Sequence, residues 1–477
     1  MVLDHKITFN TLLQFSSKII GLILSIFTVA LTARYLGTKG FGQYSIILAF
    51  LQLFGTLMDL GLSMMVIQMT PYQKEGKEAR ETETKIFNNI FTLRFFSALF
   101  FLFLAPLVSF FFPYPPLIKI GIALTSFSFF FLFLAQIIIP LFQKRLAVKR
   151  VAIGEIMSRS ILLIFTALAI WLKMGLWGIL GAIILGNLVN FLILFFSSLH
   201  FVKISLQFDF SLWKEILKKT WPIGLSIALN LIYFRSDTVI LSLYRSQEEV
   251  GIYGITYKIL EALSLFPLVF VGLTLPLLTK VWVQKNLDQF RKILQYGFDF
   301  LLILALPLVT GILFLARPII ILISGEEFVL AGDVLKIIIL ATGIIFVGTL
   351  FSHTIVAIHK QKTMLWFYLV DAIIAMTAYL IFIPRYSYYA AAIITVFSEL
   401  FLYFFAFLIV WRTTRILPSL KIFWKSLKAC LIMALLLWFF KEQSLFLLLL
   451  LANISYFGTL HLLKGWPERL EEEKIDQ

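Results

Sequence analysis

The sequence predicts an all-α polytopic membrane protein of about fourteen transmembrane helices. Three observations predict it: an apolar excess, apolar runs of helix length, and basic residues that alternate between successive loops. Of 477 residues, 60% are hydrophobic and 14% are charged. Soluble globular chains are roughly 45–50% apolar and about 25% charged. A spanning helix takes about 20 mostly apolar residues, so about fourteen of them account for the whole composition.

The runs fall near 11–33, 44–68, 86–112, 117–142, 153–172, 176–201, 220–243, 251–279, 297–323, 334–357, 363–383, 388–411, 425–440 and 444–463. Transmembrane strands are about 9–11 alternating residues. These runs are longer and continuous, so they read as helices. The last two, and the split at Lys173-Met174-Gly175, are the least marked. The first run follows a short leader containing Asp4 and precedes many similar runs, so it reads as a helix and not as a secretory signal. The longest polar stretches, 69–85, 202–219 and 464–477, are too short to fold as separate soluble domains.

Orientation follows from the basic residues, which concentrate on the cytoplasmic side. With the N-terminus in the cytoplasm, alternate loops hold 26 lysines and arginines and the opposite loops hold 8. Both termini are therefore expected in the cytoplasm. The net charge of +15 is mostly this loop asymmetry, and no basic domain stands apart, so nucleic acid is not an expected partner. Cys430 is the single cysteine, which excludes an intrachain disulfide framework and a cysteine-rich metal site. The five histidines show no ligand spacing, and Walker, GxGxxG and GxSxG motifs are absent. No cofactor is expected.

The segment Tyr35-Leu36-Gly37-Thr38-Lys39-Gly40-Phe41-Gly42-Gln43-Tyr44-Ser45-Ile46 returns, 209 residues later, as 244–255. Tyr35/Tyr244, Gly42/Gly251, Tyr44/Tyr253 and Ile46/Ile255 are identical. Both copies lie between the first and second helix of a half. An even number of helices separates them, so the halves share one orientation, as in transporters built from parallel repeats. The expected division is a six-helix lobe over 1–203, a second over 204–411, and two further helices with a cytoplasmic tail over 412–477.

Charge inside a bilayer costs a few kcal/mol and usually faces a bundle interior or a wet cavity. Beyond those assigned to the loops, seven basic residues lie inside the runs, together with seven acidic ones. Lys336 and Lys428 sit near ends and can snorkel, and Asp299 is also near an end. Glu155 and Arg159 are spaced i,i+4, and Lys258 and Glu261 i,i+3, so each pair shares a helix face and either forms a local ion pair or serves a site. Arg235 and Asp237 point to different sides and need other partners. The first half, with Lys18, Arg94 and Arg159 against Asp59 and Glu155, is slightly basic, more so with Arg34. The second half, with Arg235 and Lys258 against Asp237, Glu261, Asp299, Asp371 and Glu399, is acidic. A basic half suits an anionic headgroup, for which arginine offers a planar fork. An acidic half suits a proton or sodium ion.

Arg34-Tyr35-Leu36-Gly37, Phe41-Gly42-Gln43-Tyr44-Ser45 and Asp59-Leu60-Gly61-Leu62-Ser63 together resemble the opening of Wzx-type lipid-linked oligosaccharide flippases. These polysaccharide flippases belong to the multidrug/oligosaccharidyl-lipid/polysaccharide (MOP) exporter superfamily. Trp221-Pro222-Ile223-Gly224, Arg235-Ser236-Asp237, Glu249-Val250-Gly251-Ile252-Tyr253 and Ser324-Gly325-Glu326-Glu327-Phe328 resemble its later segments. The likeness covers about 1–410. It implies two pseudo-symmetric six-helix bundles around a cavity of alternating access, plus two C-terminal helices, in the bacterial inner membrane. It implies transport of an undecaprenyl-diphosphate-linked oligosaccharide to the outer leaflet for surface polysaccharide such as O-antigen, without covalent chemistry. Counter-transport of H+ or Na+ is implied too, with membrane lipids and polysaccharide-assembly proteins as neighbours. On this reading Lys18, Arg34, Arg94, Arg159, Arg235 and Lys258 meet the anionic headgroup and sugar, and Asp59, Asp237, Glu261, Asp371 and Glu399 carry the coupling cation. The near balance of buried charge departs from a strongly cationic cavity. A lipid II flippase, a drug/cation antiporter, and a membrane polysaccharide polymerase or ligase are the competing readings. Short outer loops argue against the last.

Overall fold

The structure, a computed structural model, describes residues 2–59, 61–69, 77–145 and 147–467. Thirteen α-helices and one 3-10 turn run through them: α1 Val2–Asp59, α2 Leu62–Met69, α3 Lys77–Ser109, α4 Pro116–Lys144, α5 Val148–Trp171, α6 Gly175–Ser198 and α7 Phe210–Tyr244, then α8 Gln247–Val283, α9 Leu287–Ser324, α10 Ala331–Ala357, α11 Gln361–Thr414, α12 Lys421–Phe439 and α13 Leu445–Leu462. Among the described residues, eleven helices are long and apolar enough to cross a membrane. Helix is the form these runs take because hydrocarbon offers no partner for a free backbone N–H or C=O.

The fourteen apolar runs fall on twelve long helices, because α1 and α11 each carry two runs. One residue of non-helical backbone breaks each of them, Gly37 (φ 64°) in α1 and Ser387 (φ 53°) in α11. Gly37 adopts that conformation freely. Ser387 does so against the preference of a residue with a Cβ, just after Pro384. Intramembrane hydroxyls return their hydrogen bonds to their own helix: Ser25 to Gly21 O (2.7 Å), Thr28 to Leu24 O (2.8 Å), Thr354 to Leu350 O (2.7 Å).

Contacts divide the chain into two compact units, Met1–Gly251 and Ile252–Gln477. In the first, Phe87, Ile90, Ile137, Ile138 and Phe142 form the interior between α3 and α4, with Leu194 of α6 and Ile216 of α7 packed onto it. Polar bridges join α6 to its neighbours, Asn187 Nδ2 to Ser128 Oγ of α4 (2.7 Å) and Ser158 Oγ of α5 to Gly186 O (2.8 Å).

The extended segment before α7 is stitched to α3 by side chains. Asn88 Nδ2 donates to Lys203 O (3.1 Å) and Ser205 Oγ (2.9 Å), and Asn88 Oδ1 accepts from Ser205 N. Thr92 Oγ1 accepts from Gln207 N (2.9 Å). Asn89 Oδ1 accepts from Asp209 N (2.9 Å) and from Trp213 Nε1 (3.0 Å). Residues 203, 205, 207 and 209 share the alternation of a strand, so every second backbone group meets α3. Lys85 closes the seam on Asp209 at 2.8 Å. The Lys85 ammonium, then Ser211 and the Leu212 N–H, hold the Asp209 carboxyl well below the usual carboxylate range. Asp209 also caps α7.

At the end of the first unit that holds the Gly37 kink, the repeated glycines meet reciprocally. A Cβ on Gly42 would overlap the carbonyl oxygen of Gln247, and one on Gly251 would overlap that of Thr38. Thr38 and Gln247 are themselves related by the 209-residue offset, so the contact has two-fold character. Gln43 Nε2 donates to Gln247 Oε1 across it (2.9 Å). Nearby, Tyr114 is hydrogen-bonded to Ser242 (2.7 Å), and burial pushes its phenol up to about 12.

In the second unit, α9, α12 and α13 pack through Ile303, Leu315, Met433, Leu437 and Tyr456. The Tyr456 hydroxyl donates to Ile303 O (2.8 Å), and Cys430 is a small buried residue of this cluster.

Two outcomes follow. Gly42→Ala and Gly251→Ala are expected to destabilise by about 1–3 kcal/mol through overpacking. Thermal unfolding in detergent checks this, with Gly181→Ala, which meets open space, as the unaffected control. Asn89→Ala is expected to cost about 1–3 kcal/mol by leaving two N–H groups without their acceptor. Faster tryptic cleavage at Lys203 reports release of the segment.

Candidate functional site

Each unit holds its own polar cluster. In the first, Gly21 of α1 sits against α5. From the position its Cβ would take, Glu155 Oε1 is 3.5 Å away and Arg159 Cγ 3.8 Å. The absent side chain lets two charged residues approach the α1 backbone. Lys18 lies one turn before Gly21 on the same helical face. Lys18 and Arg159 are exposed and Glu155 is half-buried. Among the described contacts the i,i+4 pair Glu155/Arg159 forms no ion pair, and the Arg159 side chain is exposed. Arg34, at the kink end of the same arm, is also exposed.

Arg94 is set apart from these three. It is fully buried between α3 and α4. Its Nε donates to Phe133 O (3.3 Å), its guanidinium reaches Gln136 Oε1 (3.4 Å) and it lies 5.0 Å from the Phe133 ring centroid. Cation–π attraction and hydrogen bonds together solvate the charge. The Asp59 side chain lies outside the described residues.

Arg235 and Asp237 lie in the last third of α7. Arg235 is half-buried, and buried Asp237 accepts from the N–H and the hydroxyl of Thr238. Lys258 and Glu261 form the i,i+3 ion pair that their spacing suggests, at 2.8 Å.

The second unit brings Asp371 and Glu399 together on the two arms of α11. The arms fold back on each other about Ser387: the Phe367 and Phe405 rings stack at 4.1 Å, and Tyr379 meets Thr395 at 3.5 Å. Asp371 and Glu399 are 2% and 1% exposed, burial that makes them interior groups. Ser398 hydrogen-bonds the Asp371 carboxyl. Asp371 Oδ2 is buried without a hydrogen-bond partner among the described residues. Glu399 lies within the electrostatic reach of Asp371, and Tyr368 and Tyr403 within that of Glu399. From α10, Thr349 bonds Tyr403 and Ser352 bonds Tyr368.

Sequence reasoning passed over this tyrosine and serine shell. Its signal was helical spacing: Tyr368 lies three residues before Asp371, and Tyr403 four after Glu399. Gln136, which meets Arg94 from another helix, had no such signal.

Buried charge inside a polytopic helical bundle is a feature of membrane transporters. The sequence profile of the family described as "Polysaccharide biosynthesis protein" matches residues 7–282, and that of MatE matches 222–381. The chain belongs to the polysaccharide biosynthesis protein family, within the MOP exporter superfamily. It is 23% identical over 367 residues to the succinoglycan biosynthesis transport protein ExoT of Rhizobium meliloti (strain 1021), covering 73% of this chain and 69% of that one. Its fold is similar to an inward closed structure of the lipid II flippase MurJ, with a TM-score of 0.76 at 17% identity over 95% of this chain and 98% of that one. An inward-facing multidrug resistance MATE transporter gives 0.68 at 12% identity over 85% and 98%.

Arg94→Met is expected to lower the unfolding midpoint, at about 1–3 kcal/mol for the lost buried hydrogen bonds. Arg94→Lys is expected to recover little, since a point charge does not replace the fork. Arg159→Ala is expected to leave the midpoint unchanged. Thermal unfolding of the three variants side by side checks the contrast.

Proposed function

We propose that the protein flips undecaprenyl-diphosphate-linked oligosaccharide units from the cytoplasmic to the outer leaflet of the inner membrane. It does so by alternating access of two six-helix lobes, 1–203 and 204–411, with the helices of 412–477 appended and both termini cytoplasmic. The observation that carries this reading is the division of charge. Lys18, Arg34 and Arg159 are accessible cations in the first unit, and Asp371 and Glu399 are adjacent buried carboxyls in the second. An arginine fork suits a diphosphate. Two carboxyls in one dry site favour uptake of a cation, because like charges there cannot both stay ionised at low cost.

The cation is H+ or Na+. Of the remaining candidates, Arg235 and Lys258 would meet the sugar, and Asp237 and Glu261 would follow the cation. Arg94 would position α3 behind the basic cluster, and Asp59 completes the acidic set. Similarity to a succinoglycan transport protein and to a lipid II flippase supports a lipid-linked cargo, and surface polysaccharide is its destination.

Deletion of the gene, followed by analysis of lipid-linked intermediates, tests the reading. Complete repeat units are expected to accumulate on the inner leaflet. Accumulation of flipped single units would point to a polymerase defect instead and overturn it. Complementation with Arg159→Ala, Asp371→Asn or Glu399→Gln is expected to restore transport at least tenfold less well than wild type.

A further inference from the structure

Where α4 ends and α5 begins, the first unit carries the cations Lys144, Arg145, Lys149 and Arg150 over 144–150. Glu83 of α3 meets two of them, Arg145 Nη2 at 2.7 Å and Lys144 Nζ at 3.2 Å. Among the described residues Lys149 and Arg150 have no ion pair, so one carboxylate faces four cations.

The two arginines are held in place. Arg150 Nη1 donates to Ser197 O in the last turn of α6 (2.6 Å). Phe201, just past the end of α6, carries a guanidinium from each: Arg145 Cζ lies 5.3 Å from the ring centroid and Arg150 Cζ 4.8 Å. The two guanidinium carbons are therefore no more than about 10 Å apart. Glu83, Ser197 and the ring fix their positions, and most N–H groups of both forks remain for a further acceptor. Arginine forks set in this way match the oxygens of a phosphate.

Deeper along the same surface the lining changes to carbon. Lys149, Ile153, Met157 and Ile164 share one face of α5, and all four are exposed. Ile153 and Met157 lie about 6 and about 12 Å along the helix from Lys149. α6 packs beside α5 and presents Phe196, which is 60% exposed. Cations at the helix ends, with apolar side chains one and two turns further in, reproduce the profile of a phospholipid, a charged headgroup above acyl chains. A free phosphate would use the forks and leave the apolar strip without a role.

We infer that Arg145, Phe201 and Arg150 form a seat for the phosphodiester of an anionic phospholipid, whose acyl chains lie along Ile153 and Met157 of α5 and Phe196 of α6. This lipid is resident and is not the cargo, so the inference stands apart from the flippase reading. Loop cations on one side of a membrane attract anionic lipids diffusely. Here the two forks are fixed on one ring, which makes a discrete site. A phosphate between them ties the end of α4 to the start of α5 and the end of α6.

The test is native mass spectrometry of the full-length protein in neutral detergent, titrated with dioleoylphosphatidylglycerol or dioleoylphosphatidylcholine. One phosphatidylglycerol per chain is expected to be retained at least tenfold more tightly than phosphatidylcholine. The double variant Arg145→Gln/Arg150→Gln is expected to lose this preference. Arg145→Lys/Arg150→Lys, which keeps the charge and removes the forks, is expected to weaken retention at least fivefold. Lys214→Gln/Lys218→Gln, which removes two exposed cations of α7 at the same end of the unit, is expected to bind as wild type. Equal retention of the two lipids, wild-type retention in the lysine variant, or an equal loss in the α7 variant would overturn the inference in favour of diffuse attraction. Displacement by excess inorganic phosphate would overturn it in favour of a free-anion site. Displacement by equimolar undecaprenyl phosphate would overturn it in favour of a cargo site. The lysine variant decides the matter even where the glutamine variant does not fold.

Discussion

Hydrocarbon offers no hydrogen bonds, and the rest of this molecule is organised around that absence. Helices satisfy their own backbone, so each departure from helix must be repaired locally. At Gly37 and Ser387 the chain turns within a single non-helical residue, which keeps the number of interrupted hydrogen bonds small. Outside the spans, between α6 and α7, the backbone leaves the helix for a longer stretch, and there α3 supplies donors and acceptors residue by residue through Asn88, Asn89 and Thr92. Serine and threonine inside the helices fold their hydroxyls back onto carbonyls one turn earlier.

The same scarcity of partners sorts the buried charges. Arg94, fully buried, meets a carbonyl, an amide and an aromatic face. Lys258 and Glu261 neutralise each other within one turn. Asp371 is the contrasting case. It has a serine and a neighbouring carboxyl, but no cation among its described contacts.

Much of this was legible in the sequence because its period and composition carry it. Fourteen apolar runs give the helices, and the i,i+3 spacing gives the Lys258–Glu261 pair. The glycine repeat at 42 and 251 marks two segments that do meet. Less legible were the features that depend on approach between distant segments. Nothing in the spacing of α3 says that Asn88 and Asn89 will bind residues 203–209. The Glu155/Arg159 spacing suggests an ion pair, yet the glycine on α1 admits both side chains to a different neighbour. The Asp371–Glu399 pairing needs the hairpin at Ser387, which hydropathy records only as a break between two runs.

The reciprocal glycine contact has the geometry of an isologous interface drawn inside one chain. A true dimer would have to satisfy both halves of such a contact with identical residues. Within one chain that obligation falls away. Gln43 meets Gln247, while the positions related to them by the repeat are Ile252 and Thr38, which cannot make an amide–amide bond. The backbone crossing has stayed symmetric because two glycines and two carbonyls enforce it from both sides. The side chains around it have been free to differ, so one end of the crossing can be held more tightly than its counterpart.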